Sequence, residues 1–600
     1  MRELTVPALV ELPDDADLTD LVSTAAATTP FRVQLRRAVQ GRWEDVTSRE
    51  LLAEVTATAK GLVAAGVGPG DRVGIMSRTR YEWTVADFAL WFAGAVPVPV
   101  YETSSAEQVA WILGDSGAVG CFVEGAEHAA LVESLRGRLP GLGPLWTFED
   151  GALDGLAASG AAVPDEVVAE RRAGLHPDSL ATIIYTSGTT GRPKGCMLTH
   201  GNLRAGTENA LAGLTGLFSP GGSTLLFLPL AHVFARVVQI GCLSSGVTLG
   251  HSPDTTTLLA DLGSFRPTFI LSVPRVFEKV FNGARTKAAV DGKGRVFDRA
   301  AAVAVRYSQA LDDNGGPGLA LRAQHAVFDR LVYGRLRAAL GGRTQYAVSG
   351  GAPLGARLGH FFRGVGVTVL EGYGLTETSA ASTLNTPQQL RIGSVGRPIP
   401  GSGVRIADDG EVLLRGPHVF PGYWHDDEAT SAVLDPDGWF STGDLGELDD
   451  DGFLSITGRK KEILVTSAGK NVAPAPLEDS IRAHALVSHC IVVGDARPYV
   501  AALITLDAEA VPGWLAARHR DPAQAASDLS QDPDVLEDLT EAVDRANLAV
   551  SRAEAIKRFV VLQVDFTESA GHLTPTLKLR RQVVLRDFAE AVEGLYPDRE

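Results

Sequence analysis

Short β-branched runs alternate with amphipathic stretches along much of the chain. Residues 73–76 are strand-like, Phe88, Trp91, Phe92 and Ala95 then recur at i, i+3, i+4 and i+7, and residues 96–101 return to a strand pattern. The same rhythm comes back at 181–185, 225–228, 268–273 and 368–370, mostly ahead of loops marked by Gly or Pro. That predicts layered α/β subdomains whose ligands gather where strands end. Between 275 and 341 the period becomes helical, with Phe328, Leu331, Val332 and Leu336 on one face and a break at 314–317, which predicts a helical insertion. From 393 to 458 short segments such as 412–414 stand between Gly, Pro and Asp, the texture of a small β-rich subdomain. Strand patterns at 463–466, 490–493 and 501–505 and an amphipathic helix near 535–558 then read as a separate small α+β domain. The expected fold is therefore α/β, with a large N-terminal domain over 1–458 and a C-terminal domain over 459–600.

Composition narrows the function classes. With 600 residues, 45% hydrophobic and 21% charged, the chain is globular and large enough for several cores. A net charge of -17 argues against a general nucleic-acid binder, because that affinity rests on clustered Lys and Arg. Four cysteines without a C-x-x-C pair suggest neither a disulfide framework nor a zinc site and fit a reducing cytoplasm. The N-terminal segment lacks the basic start and apolar core of a signal peptide. The most apolar stretch, 88–100, contains Gly94, Pro97 and Pro99 and falls short of the roughly 20 residues that span a bilayer. Peripheral contact with lipid is compatible with this pattern.

The chemistry is densest at 186–195, TSGTTGRPKG, which leaves the strand pattern 181–185 directly. Its glycines allow backbone N–H groups close to phosphate oxygens, the hydroxyls of Thr186, Ser187, Thr189 and Thr190 donate or coordinate Mg2+, and Lys194 supplies a mobile charge. Gly188 sits in the middle of the run. It is not a Walker A loop, since G-x-x-x-x-G-K-[ST] is absent, and a Gly/Ser/Thr run alone also suits a flexible linker.

Together with that string, SGGAPL at 349–354, EGYGLTE at 371–377, STGD at 441–444, GRKK at 458–461 and LTPTLKLRR at 573–581 follow in order. This series resembles the AMP-forming adenylating enzymes, the superfamily of acyl-CoA synthetases, luciferases and peptide-synthetase adenylation domains. The resemblance covers about residues 70–581. It implies ATP binding by Thr186, Ser187, Gly188, Thr189, Thr190 and Lys194, with adenine against Gly350, Gly351 and Ala352. Glu371, Gly372 and Tyr373 continue that site, Tyr373 packing on adenine and Thr376 meeting the α-phosphate. Asp444 and Arg459 resemble the ribose pair. Glu377, with Thr186, is implied to hold Mg2+, a hard cation suited to oxygen ligands. Lys578 matches the catalytic lysine that stabilises the pentacovalent α-phosphate.

LPLAHVFAR at 228–236 and SVPRVFEKV at 272–280 resemble the long-chain fatty acyl-CoA synthetase branch, which also carries an insertion after 280. That implies two steps, fatty acid and ATP giving acyl-AMP and pyrophosphate, then coenzyme A giving acyl-CoA and AMP. His232 is placed where acid, adenylate and thiol converge, and His232, Arg236, Gly374, Gly469 and Lys470 are assigned to the acyl and CoA region. Many relatives have Glu where Ala235 stands. Lys461 resembles the hinge of a mobile C-terminal domain. The expected partners are fatty acid, ATP and coenzyme A, with no nucleic acid and no carrier domain after Lys578. The competing readings are a ligase that loads a carrier protein or takes an aromatic acid, and a non-catalytic nucleotide binder.

Overall fold

A computed structural model describes residues 1–186, 192–254, 256–313, 315–574 and 578–597, the side chain of residue 526 apart. Three sheets with parallel cores build the large N-terminal part. In the first, Arg72–Met76 lies between Val96–Val100 and Gly120–Val123, with Leu145–Thr147 beyond. Pro97 and Pro99, which cannot donate to a ladder, fall on its edge strand. The second runs Ser223–Leu226, Thr248–His251 and Val33–Val39, closed by antiparallel Arg42–Thr47. The third sets Phe269–Ser272, Tyr346–Ser349 and Thr368–Tyr373 in register, so that Ser272, Ser349 and Glu371 stand side by side near the strands' carboxyl ends.

Helix Tyr81–Phe92 packs at the centre, with Trp83, Phe88, Trp91 and Phe92 all buried. It is apolar on every side, as a fully enclosed helix must be. Ala95 lies past its end, because Gly94 takes φ +74° and turns the chain into the next strand. Asp87 on this helix pairs with Arg236, and neither is exposed. Trp83 and Trp91 stand 5.4 Å from the guanidinium, whose remaining charge is spread onto the Thr182 hydroxyl at 2.5 Å. Gln239 donates to the second Asp87 oxygen at 3.1 Å. Arg236 thus takes its acid partner from another helix.

The β-rich part is an antiparallel sheet of Gly403–Ile406, Glu411–Arg415, Phe440–Leu448 and Leu454–Arg459, joined at its edge by Glu3–Thr5 from the N-terminus. Three short residues gave no sequence signal for that pairing. The insertion forms as expected, through Pro274–Val290, Gly294–Asp312, Leu319–Phe328 and Gly334–Ala339. Its inner face differs from the expected one. A π turn over Asp329–Tyr333 widens the repeat, so Leu331 is 53% exposed and Tyr333 is buried instead.

Beyond residue 460, Val487–Val493, Val500–Leu506 and Ile556–Val561 form one sheet, covered by Pro474–Arg482 and Pro533–Asn547. The amphipathic helix stops short of 558 because Asn547 turns its side-chain amide to the backbone of Ile556, donating at 3.0 Å and accepting at 2.8 Å, and thereby starts a strand. The clusters around Leu477 and Ile491 draw no residue from before 464, so this part has its own core. It meets the rest through polar contacts, including Arg275 with Asp507 at 3.4 Å and Lys279 with Glu509 at 3.2 Å.

The Asp87–Arg236 pair gives a stability prediction. Asp87→Ala leaves a buried guanidinium uncompensated, which costs about 3–5 kcal/mol. Urea unfolding measures it, and a loss below about 1 kcal/mol would show that the cation is otherwise satisfied.

Candidate active site

The parallel strands deliver several functional segments to one cleft. Gly350, after Tyr346–Ser349, donates its N–H to Ser272 at 3.3 Å, and Gly351 takes φ +84°, which only glycine accepts readily. Ala352 follows, exposed. The helix Val233–Ser245 begins beside this turn, Phe234 lying about a van der Waals contact from where a Gly350 side chain would start. Strand Thr368–Tyr373 then carries Glu371, Gly372 and Tyr373 into the site. Gly374 is obligatory, since a Cβ there would stand 1.8 Å from the Ala380 carbonyl oxygen. That close crossing curls the chain into the turn Thr376–Thr378, with Ser379 and Ala380 at φ +49° and +78°. Such conformations persist only where the surroundings over-determine them.

Asp444 and Arg459 are cross-strand partners. The Asp444 carboxylate is buried and accepts from Arg459 Nε at 2.8 Å and from the Tyr373 hydroxyl at 2.7 Å. Glu377 is also buried, which raises its pKa, and accepts from the Tyr423 hydroxyl at 2.9 Å. Tyr423 in turn offers its ring to Lys194, whose ammonium lies 5.2 Å from the ring centre and 3.8 Å from Asp426.

The phosphate-loop hairpin is anchored at both ends. Thr186 and Lys194 face each other across antiparallel strands Leu180–Thr186 and Lys194–Thr199. Ser187, Gly188, Thr189 and Thr190 lie outside the described residues. Helix Ala106–Asp115 grips the flanks. Trp111 donates its indole N–H to the Pro193 carbonyl at 2.9 Å while Arg192 stacks on its ring at 4.6 Å, and Tyr185 donates to Asp115 at 2.5 Å. Trp424 adds a backbone bond to Gly195 and an indole bond to the Asp115 carbonyl. Sequence reading missed Trp111, Asp115, Tyr423 and Trp424. The aromatic pair after Pro421-Gly422 was visible, but nothing in the spacing tied it to Glu377.

His232 caps the helix Val233–Ser245, its Nδ1 accepting from the Phe234 N–H at 3.1 Å, which leaves the ring proton on Nε2. Burial, aided by the Lys578 charge, lowers its pKa to about 3. Lys578 arrives from the C-terminal part. Its backbone N–H meets the Thr574 hydroxyl at 3.0 Å and its carbonyl accepts from the Thr574 N–H at 2.8 Å. The lysine remains accessible to solvent, but the crowding protein and then Arg459 lower its pKa, against the attraction of Asp444 and Glu377. Asp444, Arg459, Glu377, His232 and Lys578 therefore share one electrostatic neighbourhood.

Three residues expected in the acyl and CoA region lie elsewhere. Arg236 is sealed in the core with Asp87. Gly469 and Lys470 form an exposed hairpin turn in the C-terminal part, where Lys470 pairs with Glu554 at 3.3 Å. Lys461 is exposed in the turn Lys460–Glu462, next to Lys460, which bridges Asp409 and Glu411.

A two-part α/β protein that gathers buried Asp444 and Glu377 with Arg459 and Lys578 is the arrangement expected of an adenylating enzyme, and the comparisons agree. The sequence pattern of the AMP-binding enzyme family matches residues 22–424 and that of the AMP-binding enzyme C-terminal domain matches 461–600; the chain belongs to this family. It is 52% identical to long-chain-fatty-acid–CoA ligase FadD15 of Mycobacterium tuberculosis, over 99% of this chain and 100% of that one. It is 32% identical to the peroxisomal long chain acyl-CoA synthetase 7 of Arabidopsis thaliana, over 93% and 82% of the two chains. The crystal structure of the anthranilate CoA ligase AuaEII with anthranoyl-AMP superposes with a TM-score of 0.72 at 21% identity, covering 97% and 99%, a likeness of fold.

Glu371 gives a pH prediction. Its carboxyl is buried and accepts from the Leu354 N–H at 3.0 Å. Burial, with a smaller push from Asp479 of the C-terminal part, raises its pKa from 4.5 to about 7. A raised value disfavours the charged form, so the stability it contributes is fully present below about pH 4.5 and is lost as pH rises through about 7. Glu371→Gln keeps an acceptor for Leu354 without the charge. It is expected to stabilise the protein by about 3 kcal/mol at pH 8 and little at pH 5, at roughly 1.4 kcal/mol per pKa unit. Thermal melts across that range check it; a gain independent of pH would contradict the burial argument.

Proposed function

We propose that the protein activates a long-chain fatty acid with ATP to acyl-AMP and pyrophosphate and transfers the acyl group to coenzyme A, releasing AMP. The observation that carries this reading is the convergence of Lys578, Glu377, Asp444 and His232 in one cleft, with Lys578 supplied by a part that has its own core. The 52% identity to a long-chain-fatty-acid–CoA ligase over nearly the whole chain supports the choice of acid and acceptor.

In this reading adenine lies between Gly350–Ala352 and the Tyr373 ring, and the ribose hydroxyls face Asp444 and Arg459. Thr376 meets the α-phosphate. Lys194 leaves Asp426 for the departing pyrophosphate, a short exchange of one anion for another. Buried Glu377 fits Mg2+, which is held through one or two carboxylates plus substrate phosphates, and the Thr186 hydroxyl is the second candidate. When bound, that ion supplies charge neutralisation at the triphosphate.

The fatty carboxylate oxygen attacks the α-phosphorus and the bond to pyrophosphate breaks. Lys578 places positive charge where the pentacovalent phosphorus gathers negative charge. The Nε2–H of His232 donates to the carboxylate and orients it. Burial with Lys578 nearby keeps this imidazole neutral in the first step, so it enters that step as an Nε2–H donor. The thiol then attacks the acyl carbon and AMP leaves.

The second step needs Lys578 out of the way. Arg459 pairs back to Asp444 and Lys460 to Asp409 and Glu411, whereas Lys461 is exposed, and the C-terminal family pattern begins at 461. We therefore set the swivel at Lys461, at the start of the part expected from 459. The loop with Gly469 and Lys470 then turns toward the cleft for the CoA step.

Lys578→Ala tests the division of labour. ATP–pyrophosphate exchange stimulated by a long-chain acid should fall at least about 100-fold, the usual scale for losing a preorganised charge at a transition state. Thioester formation from supplied acyl-AMP should persist. Equal loss in both half-reactions would overturn the assignment.

A further inference from the structure

Helix Leu319–Phe328 and the π turn that follows are apolar on two opposite sides. The inner side is satisfied. His325 stacks on Tyr307 at 3.9 Å and meets the Gly364 carbonyl at 2.6 Å, while buried Tyr333 donates its hydroxyl to the Ala300 carbonyl at 2.7 Å. On the outer side Leu319 is 84% exposed, Val327 56% and Leu331 53%, with Ala320, Ala323 and Ala326 also exposed between them. Leu319, Ala323 and Val327 follow at i, i+4 and i+8 and so form one row.

This exposure is concentrated. Of the thirteen large apolar side chains strongly exposed among the described residues, six belong to the insertion: Val290, Val296, Leu311, Leu319, Val327 and Leu331. Scattered single apolar residues need no explanation, but Leu319, Val327 and Leu331 follow along one short helical segment, as an interaction surface requires.

Charge points to the partner. The chain carries -17 overall, yet residues 319–343 hold five arginines and a single acid, Asp329. Arg337 pairs with that acid at 2.6 Å. Among the described residues, Arg322, Arg330, Arg335 and Arg343 have no carboxylate within 4.0 Å. A second copy of the chain would set this basic face against itself across a twofold axis, which like charges oppose. A nucleic acid would leave the aliphatic row exposed. The row also lacks the aromatic anchors that dominate protein interfaces.

We propose that this outer face seats the protein on an anionic lipid bilayer. Leu319, Val327 and Leu331 enter the headgroup boundary, and Arg322, Arg330 and Arg335 bury their stems along it and extend their charges to lipid phosphates. The purpose assigned to the face rests on the fatty-acid reading above, because each methylene of a long acid favours its partition into bilayers, so a seated enzyme meets its substrate there. The docking itself does not depend on catalysis.

Co-sedimentation of the full chain with vesicles of phosphatidylglycerol and phosphatidylcholine in equal parts, without substrate, tests it. The protein should bind these vesicles at least tenfold more tightly than pure phosphatidylcholine, and lose that margin in high salt. Arg330→Glu with Arg335→Glu, and separately Leu319→Asp with Val327→Asp, should each weaken binding at least tenfold. Both variants should keep activity on a short, water-soluble acid, which verifies folding without the membrane. Absence of binding by the unaltered protein, equal binding by both variants, or binding indifferent to lipid charge would overturn the proposal. So would dimerisation in solution that either variant abolishes. Loss of activity on every acid with vesicle binding intact would instead count against the fatty-acid reading alone.

Discussion

The structure turns on the buried carboxylate of Asp444. It lies on the β-rich sheet, accepts from a tyrosine at the end of the third parallel sheet, and accepts from Arg459 on the last strand before the C-terminal part. One side chain therefore ties together strand Thr368–Tyr373, the β-rich sheet and the last strand before the C-terminal part. Removing a carboxylate from water is expensive, and here the cost is offset by two directed donors instead of by bulk charge. The same anion helps hold the Lys578 ammonium in the cleft, against the repulsion of Arg459. A centre that must attract a cation for one step and release it for the next is better served by this balance than by a closed ion pair.

Rigidity is distributed accordingly. The sheets and the enclosed helix Tyr81–Phe92 form a continuous apolar core, pinned by the Asp87–Arg236 pair and its two tryptophans. The phosphate hairpin is fixed at its flanks by Trp111, Asp115 and Trp424. Between the two parts, helix Pro274–Val290 lies against Val511–Ala517, with Thr286 close on Gly513 and the pairs Arg275–Asp507 and Lys279–Glu509 beside it. The exposed Lys279–Glu509 pair is worth only about 0–1 kcal/mol. A part with its own core can change its seat without unfolding.

Much of this was legible from the chain, for reasons that differ by residue. Strands buried on both faces read as continuous apolar runs whatever their pairing, so antiparallel 181–185 and parallel 268–273 were both legible. Asp444 and Arg459, expected together at the ribose, stand on neighbouring strands in contact with each other. Arg236 shows where such reading stops. It sits four residues from His232, but His232 is the extended cap of the helix that carries Arg236, and the Arg236 side chain is fixed in the core by Asp87 on a distant helix. Leu331 failed for a related reason, since a π turn breaks the 3.6-residue period on which a face is counted. The strand Glu3–Thr5 and the tyrosine at 423 depend on contacts between remote segments, which no local pattern encodes.

The central claim is that the C-terminal part delivers Lys578 for adenylation and withdraws it for thioester formation. Lys279 and Glu509 face each other across the interface at 3.2 Å, on opposite sides of the proposed swivel. Spin labels on Lys279→Cys and Glu509→Cys report that separation directly, and the four native cysteines are buried. Double electron–electron resonance should give a short distance with ATP and a long-chain acid, and a much longer one when a stable acyl-AMP analogue and coenzyme A are bound together. A single unchanged distance under both conditions would contradict the account.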